Sequence, residues 1–169
     1  NTQSRRSRAG KEFEAIIELL FIGAGIPVDS QGSVGKQFFT NTGLGKLVDF
    51  VSPGVLQYSD NKYNSTLISA KTTLRERWQE VPEEVTRTGI SRMYLATLDE
   101  GITKETFKLL YEANVIIATT KSNKDKHYCD DTRVVTFEEL LSVAAEAANK
   151  WNSQKYTQEQ IDEMKEHIA

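Results

Sequence analysis

The apolar positions of this chain change period along its length. Over residues 10–25, Phe13, Ile16, Ile17, Leu20 and Phe21 recur at i, i+3, i+4, i+7 and i+8, the spacing of a helix with one core-facing stripe. Gly23, Gly25 and Pro27 predict where that helix stops. From residue 46 onward, short apolar runs alternate with helical patterns. Residues 46–51, 66–72, 92–97 and 115–119 are short, apolar and rich in strand formers, and read as strands. Residues 75–87, with Pro82 restarting or kinking the segment, 103–112 and 137–150 read as helices, and a weaker helix opens at Thr157. The glycine-rich polar stretch 32–45 predicts a hairpin or exposed loop, and the hydrophilic stretch 57–65 an irregular one. The alternation predicts an α/β fold, tending to α+β, with a central mixed β-sheet flanked by helices.

Composition adds limits rather than a function. The 169 residues, 38% hydrophobic and 27% charged, suffice for one domain with its own core. No apolar run approaches the roughly 18 residues that a membrane-spanning helix needs. The start is polar and basic with no apolar signal region, and it lacks an initiator Met, so the chain reads as part of a longer one. The single Cys129 excludes an internal disulfide and points to a reducing compartment; with only His127 and His167 beside it, a structural zinc site lacks ligands.

Lys and Arg total 21 against 24 Asp and Glu, a net charge of −3, which excludes a polybasic, sequence-blind nucleic-acid binder. The cations are uneven, however. Arg5, Arg6, Arg8 and Lys11 cluster at the start, the first three as candidate phosphate contacts, and Arg75 and Arg77 flank Glu76.

Asp49 stands inside an apolar strand, where its desolvation is costly unless something compensates; the alternative is an alternating strand with Asp49 in solvent. Lys71 closes the next apolar strand, and the bland reading is a strand-end lysine that snorkels into water. Two adjacent strands ending at one sheet edge would bring the pair together. A carboxylate offers hard oxygen to Mg²⁺, and a lysine ammonium can position a water or balance phosphate charge. A second carboxylate could come from Glu83 or Glu84, which otherwise suit a helix N-terminus, and a third from Glu14, otherwise a solvated helix position. Arg75-Glu76-Arg77 matches a G·C edge in the major groove, arginine to guanine and glutamate to cytosine, or else it is a solvated charge group. Gly43-Leu44-Gly45-Lys46 lacks the spacing and the Ser or Thr of a phosphate loop. His127-Tyr128-Cys129 reads as a surface loop, and Trp78 and Trp151 as core or interface residues.

The ordered set Glu14, Val48-Asp49-Phe50, Ser69-Ala70-Lys71, Arg75-Glu76-Arg77 and Glu84 resembles type II restriction endonucleases of the PD-(D/E)XK superfamily. Within it, the chain is similar to the EcoRII/SsoII-like branch, which reads CC–GG sites. Ser4 to Lys11 and Lys71 to Trp78 are the most family-like stretches of a resemblance covering about residues 3–120. Two positions before the lysine, where the superfamily carries an acid, stands Ser69; in this branch that function is displaced onto the next helix, where Glu84 matches it.

The resemblance implies that Asp49 and Glu84 hold Mg²⁺, Lys71 positions the attacking water and Glu14 is a supporting carboxylate. It further implies that Arg75, Glu76 and Arg77 read the outer G·C pairs, and that Gln3 makes a minor-groove contact. The expected protein is a homodimer, or a higher oligomer, that cleaves double-stranded DNA at a CCNGG-type palindrome in the cytoplasm of a bacterium or archaeon. Residues 1–169 would form one catalytic and recognition domain without the more N-terminal segment that forms a nucleotide-flipping pocket in relatives. The rivals are a non-cleaving DNA-binding module of the same fold and a repair or junction-resolving nuclease of the superfamily.

Overall fold

A computed structural model describes residues 2–44, 46–151 and 156–168; of residues 2–4, 6, 7, 76 and 77 it describes the backbone alone. Six strands among these residues form one sheet: β1 (Asp29–Ser30), β2 (Phe50–Ser52), β3 (Thr66–Ala70), β4 (Met93–Ala96), β5 (Val115–Thr119) and β6 (Val135–Thr136). They lie side by side in chain order. The first two pairings are antiparallel and the remaining three parallel, so the sheet is mixed as expected.

Strand alternation divides the core in two. Val51, Leu67, Met93, Leu95, Val115 and Ile117 point to one face. There they meet α3 (Lys36–Asn41), α4 (Val55–Asp60), α5 (Glu80–Thr88) and α6 (Lys104–Glu112) through Phe39, Val55, Val81 and Phe107. Phe50, Ile68, Ala70, Tyr94, Ala96 and Ala118 point to the other face, covered by α1 (Thr2–Gly23) and α8 (Phe137–Trp151). Strands buried on both faces explain why 66–70 and 115–119 read as nearly continuous apolar runs.

Helix α1 begins well before residue 10, so the basic start is helical. It ends as the glycines predict. Ile26 N–H donates to Phe21 O at 2.9 Å and Gly25 N–H to Ile22 O at 3.0 Å, with Gly25 at φ +71°, and Ile26 packs in the same core as Phe21. Its contact stripe is narrower than the sequence suggested. Phe13, Ile17 and Phe21 are buried, whereas Ile16 is 51% and Leu20 37% exposed, and Leu19 and Ile22 stand further out. The helix rests on the sheet along a single i, i+4, i+8 ridge.

Three expectations need correction. The described residues 32–44 form no hairpin; α2 (Gln31–Val34) and α3 lie there, the first opened by a reciprocal Ser30–Ser33 capping box. Residues 57–65 are not irregular, since α4 and a 3₁₀ turn at Lys62–Asn64 occupy them, held by buried Val55 and Tyr58. The His127–Cys129 stretch is only partly a surface loop. His127 ends α7 (Lys121–His127), and Tyr128 is buried with its hydroxyl bonded to Asp99 O at 2.6 Å. Trp151 is a core residue whose indole N–H donates to Asn64 O at 2.8 Å, and Trp78 packs half-buried against the other core.

The narrow ridge gives a stability test. Ile17→Ala should cost about 2–5 kcal/mol in urea denaturation, and Ile16→Ala within about 0.5 kcal/mol of nothing.

Candidate active site

Antiparallel pairing fixes the first two site residues. β2 and β3 pair from Ser52↔Thr66 to Phe50↔Ile68, so the residue before β2 and the residues ending β3 share one sheet edge. Asp49 stands before β2, its N–H donating to Ile68 O at 2.9 Å and its carbonyl accepting from Gln31 N–H at 3.2 Å. Ala70 N–H, past the last paired residue of β2, donates to the Asp49 carboxylate at 2.7 Å. Asp49 is therefore half-buried and held to the backbone, and the solvent-facing alternative fails. Lys71 follows at once, its N–H bonded to Ala96 O at 2.9 Å. Gln31 steadies the approach by donating its side-chain amide to Val48 O at 2.6 Å.

Helix α1 supplies the second acid. With Phe13 and Ile17 packed on the sheet, Glu14 reaches a cavity of about 230 Å³ that Lys11, Glu18, Ser30, Gln31 and Asp49 also line. The charges there are mutually coupled. Burial, with the Glu14 carboxylate adding to it, pushes the Asp49 carboxyl up to about 6, against the Ala70 N–H, the Lys71 ammonium and Ser69, which pull it down. Burial also raises Glu14, opposed by Lys71 and Lys11. Ser69 Oγ is buried beside Asp49 and makes no hydrogen bond of ordinary geometry.

Glu84 lies on α5 and lines a second cavity, of about 590 Å³, with Lys46, Lys71, Glu80 and Arg87. Glu83, its alternative, is exposed and lines neither cavity. Lys71 thus belongs to both groups. Its charge reaches Asp49 and Glu14, and its side chain shares the cavity of Glu84. Glu84 itself is held by Arg87, whose Nε donates to Oε2 at 3.2 Å and whose Nη2 contacts Oε1. The charges acting on Asp49 are those of Glu14 and Lys71. Among the described residues, no three Asp, Glu, His or Cys side chains are placed to share one metal ion.

The basic residues sit on two elements. Arg75 is exposed and opens a 3₁₀ turn over Arg75–Gln79, four residues after Lys71, with φ at +46°. Arg5 and Arg8 are exposed on the opening turns of α1. The side chains of Gln3, Arg6, Glu76 and Arg77 lie outside the described residues. The sequence reading missed Arg87 as the partner of Glu84, although their i, i+3 spacing on a helix is a visible signal, and it missed Gln31.

The donor chemistry suits a hard divalent cation. Two oxygen-bearing acids share a pocket in which burial disfavours the charge of both and the Glu14 carboxylate adds to this at Asp49, while Lys71 and, at Glu14, Lys11 offset it only in part. A cation there would relieve what the chain leaves uncompensated.

Comparison with known proteins places this chain. Residues 1–141 match the family model described as EcoRII C terminal. The chain is 61% identical over 168 residues to the type II restriction enzyme SsoII of Shigella sonnei, covering 99% of this chain and 55% of that protein. It is 30% identical over 128 residues to the type II restriction enzyme EcoRII of Escherichia coli, covering 73% of this chain and 29% of that one. The chain therefore spans about half the length of the first relative and less of the second. Among solved structures, metal-depleted Ecl18kI in complex with uncleaved DNA superposes with a TM-score of 0.88 at 59% identity, over 99% of this chain and 55% of that one. The restriction endonuclease PspGI–substrate DNA complex, at 20% identity and TM-score 0.69 over 88% of this chain and 65% of that one, shares the fold. By sequence match and by architecture, this chain belongs to the EcoRII C-terminal family, within the EcoRII/SsoII-like branch of the type II restriction endonucleases.

Proposed function

We propose that this chain is the catalytic and recognition part of a Mg²⁺-dependent type II restriction endonuclease that hydrolyses double-stranded DNA at a CCNGG-type palindrome. The observation that carries this reading is the antiparallel junction that sets Asp49, Glu14 and Lys71 in one electrostatic group beside the Glu84 cavity. The protein acts as a homodimer, or a higher oligomer, in the cytoplasm of a bacterium or archaeon. Two-fold symmetry of the protein then matches that of the site, and each active site serves one strand.

Asp49 and Glu84 would hold the metal, with Glu14 as the supporting acid. Bound Mg²⁺ would supply charge to the phosphate and lower the pKa of a coordinated water. Lys71 donates hydrogen bonds that orient a water toward phosphorus and offset charge on the phosphoryl oxygens. Gln31 and the Ala70 N–H keep Asp49 in place. Arg75, Glu76 and Arg77 read the outer G·C pairs, Gln3 contacts the minor groove, and Arg5, Arg6 and Arg8 contact phosphates.

The non-cleaving module is favoured by one observation, the engagement of Glu84 by Arg87 with no third acid converging among the described residues. Plasmid digestion separates the two. With Mg²⁺ present, the chain should cut at CC–GG-type sites, and Asp49→Ala should stop it; Lys71→Ala should stop cutting yet keep Ca²⁺-supported binding in a gel shift. Cutting by Asp49→Ala refutes the metal assignment, and an unmodified chain that binds but never cuts supports the module.

Base reading has its own measure. Arg75→Ala should lose about 1–3 kcal/mol of discrimination at one guanine in competition binding, and a uniform loss over all sequences would make it a phosphate contact.

The Asp49 carboxyl also predicts a pH effect. Its pKa is raised from 3.8 to about 6 on folding, so the folded chain retains a proton that the unfolded chain releases. Stability therefore falls as pH rises through that window, with a cost of about 3 kcal/mol above it and none below it. Metal-free Asp49→Asn should be more stable than the unmodified chain in urea at about pH 7.5, and the two should converge near about pH 4.

A further inference from the structure

Three residues separate Lys71 from Arg75, and both ends of this stretch are tied to the end of β4 and the loop after it. Lys71 N–H donates to Ala96 O at 2.9 Å. Thr72 O accepts from Leu98 N–H at 3.1 Å and from the Thr97 hydroxyl at 3.2 Å. Leu74 N–H donates to the Asp99 carboxylate at 2.8 Å, and the Leu74 side chain is buried. The very next residue is Arg75, exposed, with its backbone in the left-handed region at φ +46°.

Asp99 is itself held on every side. Its second carboxylate oxygen accepts from Gly101 N–H at 2.8 Å, and its own N–H donates to Thr97 Oγ1 at 3.1 Å. Its carbonyl accepts from the Tyr128 hydroxyl at 2.6 Å and the Asn123 amide at 3.0 Å. Tyr128 and Asn123 are buried; Tyr128 also accepts from Ile102 N–H at 3.0 Å, and Asn123 donates to Thr119 Oγ1 at 2.9 Å. An arginine at positive φ is not kept there by local preference, so surrounding contacts must determine it. A carboxylate that accepts from two backbone N–H groups is a strong and directional anchor of that kind.

We propose that Asp99 is a positioning residue for base reading. Its carboxylate fixes the Leu74 amide and with it the place of Arg75 relative to Lys71, so that recognition and cleavage stay in register. The inference rests on the reading of Arg75 as a base-contacting side chain. Asp99 touches no DNA in this scheme; it acts through the backbone that carries Arg75.

Equilibrium binding of the Asp99→Asn chain in Ca²⁺ tests it, using a CC–GG-type duplex and the same duplex with one outer G·C pair exchanged. Asparagine offers one acceptor oxygen for two N–H groups. The ratio of the two affinities should fall about 10-fold, the scale of one bidentate base contact, while affinity for the exchanged duplex holds. Tyr128→Phe keeps the carboxylate but frees the Asp99 carbonyl, and should give a smaller loss in the same direction. An unchanged ratio overturns the proposal, and so does an equal loss on both duplexes, which would mark a merely structural role. If Asp99→Asn fails to fold, the Tyr128→Phe ratio decides by the same criterion. Arg75→Ala measured alongside separates the two layers: an unchanged ratio there refutes the base-reading assignment, and with it any coupling through Asp99.

Discussion

The site depends on where one antiparallel pairing ends. β2 contributes only three residues to the sheet, and the chain enters it at Asp49, opposite the end of β3. That short overlap leaves the Ala70 N–H without a strand partner, and the Asp49 carboxylate takes it. A longer β2 would have satisfied this N–H with backbone and turned the carboxylate away. A strand displaced by one residue would have moved Asp49 to the opposite face. Lys71, Glu14 and the second cavity are arranged around this junction, because Lys71 continues β3 and α1 lies across it.

The cost of the arrangement is electrostatic. Two acids in a partly dry pocket, offset only in part by Lys71 and Lys11, are less stable than neutral residues of the same shape would be, and the raised Asp49 carboxyl expresses this directly. Such sites run against the stability of the chain that carries them, since a centre fully satisfied by its own protein would have little left to offer a ligand. The Arg87–Glu84 pair shows the other solution, an acid compensated locally within one helix. The two acids proposed for the metal thus rest in different surroundings, one half-buried beside another acid and one paired with an arginine on its own helix.

Much of this was legible in the sequence, and the failures have physical causes. The β3, β4 and β5 strands and the α6 and α8 helices were readable because each is long enough to show a period and is bounded by turn residues. The α2 and α3 helices were misread since helices of four and six residues have no period to detect, and Gly32, Gly35 and Gly43 dominate the local signal. Helix α7 escaped notice because it carries no apolar stripe; a Thr120 cap and the buried Asn123 hold it in place of hydrophobic packing. Asp49 and Lys71 stood out as charges in apolar strands, but their meeting depended on strand direction, which neither segment reveals alone. The pairing of Glu84 with Arg87 was available from spacing, whereas the bonds of Asp99 to Leu74, Asn123 and Tyr128 span 24 to 29 positions and have no local trace.

The outer side of α1 has a practical consequence. Ile16, Leu19 and Ile22 stand more than half exposed on a helix whose inner ridge is fully occupied by the sheet. Exposed hydrocarbon makes encounters between molecules attractive, and the net charge of −3 opposes them only through repulsion that salt screens. Polar replacements at Ile16, Leu19 and Ile22 would remove this outer hydrocarbon without touching Phe13, Ile17 and Phe21, the ridge that holds α1 to the sheet.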